Sequence, residues 1–316
     1  MGLKENIKLV RAIIPPLKES FHKGQAGRVA VFGGCEDYTG APFFSCLASM
    51  IVGADMGHIV CAKDASTSIK AYSPDVMVHP YLQESTSAAP GVTAKDLLPR
   101  ATSILDRVHV IVVGPGMGRD KLMIETVTGV IEAAKQKNLH IVIDADGLFL
   151  VQNNPDIIKG YRRAVLTPNV VEFKRLQDSV GLKPQGEGDV TKLSQAFGGV
   201  TILQKGQVDR ISNGSETLVS DIQGGLKRVG GQGDTLSGSL ATFLAWKKAY
   251  QDNLWEHSEE LAEDKLMTIA AYGASSITRK TSRLAYEAKG RAMLTSDLSK
   301  HLGDAYVELY DNDSKL

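Results

Sequence analysis

Val108-His109-Val110-Ile111-Val112-Val113-Gly114-Pro115-Gly116-Met117-Gly118 decides the fold of this 316-residue chain. A short β-branched run, apolar except for His109, passes straight into a glycine-rich turn. Near-continuous apolar runs of this length suit strands covered on both faces, as in a parallel sheet. The pattern repeats on either side. Arg28-Val29-Ala30-Val31-Phe32 ends in Gly33-Gly34, and His58-Ile59-Val60-Cys61-Ala62 follows a helix-compatible stretch at about 42–52. His140-Ile141-Val142-Ile143-Asp144 ends in Ala145-Asp146-Gly147, and Ala164-Val165-Leu166-Thr167 precedes Pro168-Asn169. Residues 200–204 end in Lys205-Gly206. Helix-compatible stretches at 122–136, 170–178, 235–250 and 261–279 alternate with these runs, which indicates repeated βαβ units. Thr217-Leu218-Val219-Ser220 and the segment after Asp209 read as a hairpin near one sheet edge. Residues 184–189 are polar and Gly-rich but too few to divide the chain, so 1–316 is expected to form one domain. The predicted fold is a three-layer α/β/α arrangement, a mostly parallel sheet flanked by helices.

Composition narrows the function. Lys plus Arg equals Asp plus Glu at 36 each, so no overall field draws the chain to nucleic acid or to an anionic membrane. Hydrophobic content of 43% and charged content of 23% fit a globular protein with a sizeable core. The three cysteines, Cys35, Cys46 and Cys61, form no CxxC pair, which favours a reducing compartment over a disulfide framework. The seven histidines make no HxxxH or HExxH pair, so structural zinc is not expected. Residues 1–21 carry no targeting pattern, and no run approaches the roughly 18 apolar residues of a membrane span. A cytoplasmic location is therefore expected. Trp246 and Trp255 are expected to pack, His79 to be a satisfied structural histidine, and Lys247-Lys248 to lie at a solvated helix end.

Ligands of open α/β sheets sit beyond the carboxyl ends of the strands. Here those ends carry Gly, Asp, Asn or Lys. The richest candidate is Arg228-Val229-Gly230-Gly231-Gln232-Gly233-Asp234-Thr235, which opens a helix whose Ser237, Gly238, Ser239 and Ala241 permit close packing. Glycines let consecutive N–H groups converge, and a helix N-terminus adds partial positive charge, so an anion fits there. Asp234 reads equally well as a plain helix cap worth ~1 kcal/mol. Neither GxxxxGK[ST] nor a GxGxxG after the first strand occurs, which demotes the two commoner nucleotide folds. Glu172 stands three residues after Asn169, so the pair suits either Mg²⁺ held largely through water or a helix capping box. Lys205 ends an apolar strand and needs an anion or the open strand end; a solvated turn lysine is the alternative.

Taken in order, these motifs resemble the ribokinase-like superfamily and, within it, the ATP-dependent NAD(P)H-hydrate dehydratases. The resemblance rests on Gly33-Gly34 with Tyr38-Thr39-Gly40-Ala41-Pro42, Gly53-Ala54-Asp55, and Ser73-Pro74-Asp75 before Met77 and His79. It continues through 114–118, Asp144-Ala145-Asp146-Gly147-Leu148, Thr167-Pro168-Asn169-Val170-Val171-Glu172-Phe173, Lys205-Gly206 with Asp209, and the Gly-Asp loop. It spans roughly residues 20–300. Gln232 stands where Ser or Cys is commoner, and no epimerase-like domain precedes the motifs.

The resemblance implies a reaction in which ATP phosphorylates the hydroxyl of a hydrated nicotinamide ring and loss of phosphate restores NADH or NADPH. Asp234 is implied as the base, with the amides of Gly231, Gln232 and Gly233 as an anion hole. ATP is implied to meet Lys205, Gly206, Gln207, Val208, Asp209, Gly225, Arg228, Gly230 and the same loop. The hydrate is implied to meet Tyr38, Gly40, Ala41, Gly116, Asp146 and Asn169, Val170, Val171, Glu172, Phe173, Lys174, Arg175, with Asp234. Mg²⁺ is implied at Glu172 and Asn169, largely through water. The implied partners are small molecules, without nucleic acid or membrane, and homo-oligomers are compatible with the superfamily. A vitamin or sugar kinase of the same superfamily is the competing reading, and a catalytically inactive nucleotide sensor a more distant one. The Tyr38–Pro42 segment sets the chain apart from those kinases, and intact Gly233-Asp234 weighs against the inactive relative.

Overall fold

The computed structural model describes residues 2–183, 186, 188–257 and 260–311. Its centre is one nine-stranded sheet in the order β3-β2-β1-β4-β5-β6-β7-β8-β9. The strands are β1 Arg28–Phe32, β2 Met56–Ala62, β3 Met77–Leu82, β4 Val110–Val113 and β5 His140–Ile143, followed by β6 Ala164–Leu166 and β7 Thr201–Gln204. These pair in parallel. The hairpin β8 Asp209–Ser212 and β9 Thr217–Ser220 closes one edge antiparallel, as the sequence predicts.

The helices are α1 Leu3–Ala12, α2 Gly40–Val52, α3 Lys63–Tyr72, α4 Ala94–Thr102, α5 Lys121–Gln136 and α6 Asp146–Asn153. They continue with α7 Val170–Ser179, α8 Asp189–Ala196, α9 Gln232–Gln251, α10 Glu263–Lys289 and α11 Thr295–Tyr306. Of the polar stretch 184–189, residues 184, 185 and 187 lie outside the described residues. Three expectations shift. The strand β3 is an addition; it holds His79, whose Nε2 meets His58 Nδ1 at 3.0 Å, as a satisfied structural histidine. Helix α10 runs ten residues past Arg279. Lys247 is fully buried, not solvated: its ammonium meets His140 Nε2 at 3.0 Å, Gln251 Oε1 at 2.8 Å and Glu263 Oε1 at 2.5 Å.

The core follows from the apolar runs. Val29, Val31, Ile59, Ile111, Val112, Ile141, Ile143 and Val165 are wholly removed from solvent, as a sheet covered on both faces requires. Helix α9 is buried along nearly its whole length between α2 and α10. Small residues allow this: a Cβ added to Gly238 would lie 1.9 Å from the Ser45 carbonyl oxygen. The buried hydroxyls of α9 are satisfied, Ser237 Oγ by Ser45 Oγ at 3.0 Å and Thr242 Oγ1 by the Ser49 carbonyl at 2.7 Å.

Chain order reverses at β1, whose neighbours are β2 on one side and β4 on the other. A crevice therefore opens beyond the carboxyl ends of β1 and β4, the usual ligand position in an open α/β sheet. The turns 33–34 and 114–118 meet there. Gly34 donates its N–H to the Gly116 carbonyl at 3.0 Å. Gly114, at φ +121°, has no room for a side chain, since its Cβ would lie 1.9 Å from the Asp144 carbonyl oxygen.

Candidate active site

The glycine-rich loop enters α9 through Gly231, whose φ of +93° disfavours any other residue. The first helical hydrogen bond, Thr235 N–H to the Gly231 carbonyl at 3.0 Å, leaves the amides of the first turn pointing out of the helix. Gln232 N–H makes a long 3.4 Å contact with the Val229 carbonyl, and its side-chain oxygen is buried with no hydrogen-bond partner among the described residues. The helix thus begins three residues before Thr235, and Asp234 lies within its first turn. Residues 290–295 brace the loop from behind. Thr295 Oγ1 donates to the Gly230 carbonyl, and Lys227 Nζ donates to the Met293 carbonyl at 2.6 Å.

Asp234 is 9% exposed and faces two charged side chains. Burial, reinforced by the Asp144 carboxylate, pushes its carboxyl from an ordinary 3.8 up to about 7, against the pull of the Lys205 ammonium. Asp144, at the end of β5, accepts hydrogen bonds on Oδ1 from Lys205 Nζ at 2.8 Å and Thr167 Oγ1 at 2.8 Å. A Cβ on Gly233 would stand 3.5 Å from Lys205 Nζ and 3.6 Å from Asp144 Oδ2, so the loop lies directly against this ion pair. Burial would lower the Lys205 pKa, but Asp144, Glu172 and Asp234 outweigh it and hold the ammonium above its ordinary value. The solvated-turn reading of Lys205 is therefore replaced by a cation gathered among three carboxylates.

Asn169 and Glu172 form the capping box of α7. Asn169 Oδ1 accepts from Val171 N–H at 2.9 Å and Glu172 N–H at 3.0 Å, while Glu172 Oε2 accepts from Asn169 N–H at 2.8 Å. Burial raises the Glu172 pKa despite Lys205 and the Asn169 N–H. Among the described residues no group of three or more His, Cys, Asp or Glu side chains forms a metal cage.

A cleft of about 760 Å³ opens beside this cluster. Lys205, Gly206, Gln207, Asp209, Arg228, Gln232 and Gly233 line it, together with Asn169 and the exposed Val170 and Val171. Val208, Gly230 and Gly231 stand in the adjoining turns. Gly225 is instead buried against α10, where its Cβ would lie 2.5 Å from the Ser282 carbonyl oxygen. Asp209 is committed to structure: it accepts from Arg279 Nη1 at 3.0 Å, Ser275 Oγ at 2.7 Å and Gly206 N–H at 3.0 Å.

On the other flank, Gly116 presses on Tyr38, its Cβ position 2.7 Å from the Tyr38 carbonyl oxygen, which joins the 38–41 segment to the 114–118 turn. Gly118 N–H then reaches Asp146 Oδ2 at 3.0 Å. Asp146, Glu172 and Arg175 line a second cavity of about 140 Å³. Tyr38 is exposed at 58%, and Gly40 and Ala41 begin α2. Two residues of the α7 segment face elsewhere: Phe173 is 4% exposed in the core, and Lys174 borders a third cavity with it. Between Asp144 and Asp146, Ala145 is held at φ +48°, ψ −121°, a conformation costing of order 1–3 kcal/mol. It turns one carboxylate toward Lys205 and the next toward the second cavity.

Asp144, Thr167, Arg279 and Thr295 join the site without a role expected from the sequence. Arg279 donates to the Ile222 carbonyl at 2.5 Å and to the Gly206 and Gln207 carbonyls, which fixes the turn after Lys205. Its signal was an arginine closing the uncharged, buried run 266–278 of α10, which demands a buried counter-charge.

The sheet order and the position of this site define a ribokinase-like α/β fold. A ribokinase-like superfamily protein from Enterococcus faecalis superposes with a TM-score of 0.72 at 22% identity, over 97% of this chain and 95% of that one. An ADP/ATP-dependent NAD(P)H-hydrate dehydratase from Bacillus subtilis, co-crystallised with ATP and Mg²⁺, gives 0.66 at 20% identity, covering 96% and 97%. Residues 29–303 match the family model of NAD(P)H-hydrate dehydratase. An ATP-dependent (S)-NAD(P)H-hydrate dehydratase from Phaeosphaeria nodorum is 50% identical over 310 residues, 97% of this chain and 95% of its own length. The chain belongs to the NAD(P)H-hydrate dehydratase family.

Proposed function

We propose that this chain restores NADH and NADPH from their (S)-hydrates, using ATP, with Asp234 as the base. The observation that carries the reading is the buried Asp234 carboxyl, poised at about 7 beside the glycine loop and the Lys205 ammonium. A base tuned near neutral pH accepts a proton while keeping enough ionised form to work. Asp234 takes the proton of the ring hydroxyl as its oxygen attacks the γ-phosphorus, and ADP leaves. The phosphate then departs with the ring C–O bond, a ring proton is lost, and the double bond returns.

The 760 Å³ cleft takes ATP. Val170 and Val171 offer apolar surface to the nucleotide, and Lys205 with the first-turn amides at Gly231, Gln232 and Gly233 receives phosphate charge. Those amides are fixed before reaction, so they stabilise developing charge without reorganisation. The dipole is the main chain's, so Gln232 can stand in place of a smaller residue. Mg²⁺ bound with the nucleotide would neutralise phosphate charge. Glu172 and Asn169 would meet it through water, because Asn169 Oδ1 and Glu172 Oε2 already hold the capping box. The hydrate lies on the flank of Tyr38, Gly116 and Asp146. The single continuous sheet supports treating the chain as one catalytic unit.

Chemically hydrated NADH incubated with the protein and ATP is expected to regain reduced-nicotinamide absorbance, with one ADP formed per NADH. Parallel incubations with ADP and without nucleotide define the phosphoryl donor. Phosphorylation of a vitamin alcohol or a sugar without recovery of absorbance would replace this reading by that of a kinase.

A further inference from the structure

The first turn of α7 separates two cavities. Asn169, Val170 and Val171 face the large cleft, while Glu172 and Arg175 face the 140 Å³ cavity together with Arg119 and Asp146. With ATP in the large cleft, the small cavity on the other side of this turn is left for the hydrate, which beyond its ring is anionic.

Arg119 is built for such a group. Its guanidinium lies 4.3 Å over the Phe149 ring centroid, and its Nε bonds Asp146 Oδ1 at 3.1 Å. Asp146 is itself held by Gly118 N–H. Although the Arg119 side chain is 54% exposed, these contacts fix its direction. Its two terminal nitrogens make no hydrogen bond among the described residues and remain as a planar fork suited to phosphate. Fixing a long side chain in advance removes part of the entropic cost of binding. The acidic group nearest Arg119 on the cavity wall, Asp146, is already paired with it.

We infer that Arg119 grips phosphate of the dinucleotide and so sets affinity for the hydrate. The inference rests on the hydrate-repair reading above. The test compares wild type with Arg119→Met, which keeps an apolar stem on Phe149, and Arg119→Lys, which keeps only charge. Steady-state rates are measured with hydrated NADH and hydrated NADPH, alongside equilibrium binding of NADPH by its fluorescence. Arg119→Met is expected to raise KM for the hydrate and the Kd for NADPH about tenfold, the scale of one lost charge-assisted hydrogen bond. The kcat and the KM for ATP should stay within about twofold, and Arg119→Lys should recover only part of the loss. An equal rise for both hydrates places the contact at the pyrophosphate; a rise confined to the NADPH hydrate places it at the 2′-phosphate. Unchanged KM and NADPH binding would overturn the inference, as would a fall in kcat alone, which would mean that Arg119 acts by positioning Asp146. A wild-type enzyme inactive on both hydrates would sink the repair reading itself, while the NADPH titration would still judge Arg119.

Discussion

Asp234→Asn is expected to lower kcat by about 10³-fold, the scale of a positioned general base, while ATP binds with nearly unchanged affinity. The amide has almost the shape of the carboxyl, so the loop and α9 are retained and only proton acceptance is lost. The wild-type rate should show an acidic limb near pH 7, because the base works ionised and its carboxyl stands at about 7. Stability carries the opposite sign. A carboxyl whose folded pKa is raised above its ordinary 3.8 stabilises the fold below that value and loses the contribution as pH rises through about 7. Nucleotide-free Asp234→Asn should therefore melt at a higher temperature than wild type at pH 8, and the difference should narrow toward pH 4. A site that sacrifices stability for function behaves this way. Substantial turnover in Asp234→Asn would remove Asp234 from the base role.

Lys205→Met should produce the next largest effect, on both stability and pH dependence. The ammonium pairs with Asp144, whose side chain is 3% exposed, so its removal strands a buried carboxylate at a cost of about 3–5 kcal/mol. Thr167 Oγ1 remains as a hydrogen-bond donor to Asp144, which places the expected loss at the lower end. Lys205 also lowers the pKa values of Asp234 and Glu172, so its loss moves both upward and shifts the acidic limb of the rate profile to higher pH. Urea denaturation gives the first quantity and kcat against pH the second. Lys205→Arg should restore most of the pH profile but not all of the rate, because a planar fork replaces a compact charge. An acidic limb that does not move in Lys205→Met would show that Asp234 does not govern it.

The fold was legible because its strands announce themselves as apolar runs stopped by glycine, and that pattern survives any tertiary context. The strand β3 escaped because Pro80 interrupts Met77–Leu82 and most of its residues are only half-buried. Both features belong to an edge strand, where proline costs no ladder bond. Helix α9 starts three residues ahead of the expected Thr235, because packing against α2 and α10 overrides the poor helix propensity of Gly233. Lys247 could not be read as buried, since its partners His140 and Glu263 are distant in sequence.

The candidate site divided in the same way. Asp234, Lys205 and the Asn169–Glu172 pair stand out as candidates because each sits at a strand or helix end with its own local signal. Asp144 carries no local signal of its own, and its importance rests on Lys205, 61 residues away in the chain. The capping box was one of two readings of Asn169 and Glu172; the structure forms it and leaves Glu172 electrostatically coupled to Lys205. The strained backbone at Ala145 had no sequence signal, because alanine gives no warning of a positive φ.

In the proposed reaction the ring hydroxyl itself receives the phosphoryl group before it leaves. Hydrated NADH labelled with ¹⁸O at that hydroxyl, turned over with unlabelled ATP in ordinary water, tests it directly by mass spectrometry of the inorganic phosphate. One ¹⁸O atom in each phosphate released is the predicted result, since the ring C–O bond breaks after the O–P bond forms. Unlabelled phosphate, with the ¹⁸O recovered in water, would contradict it.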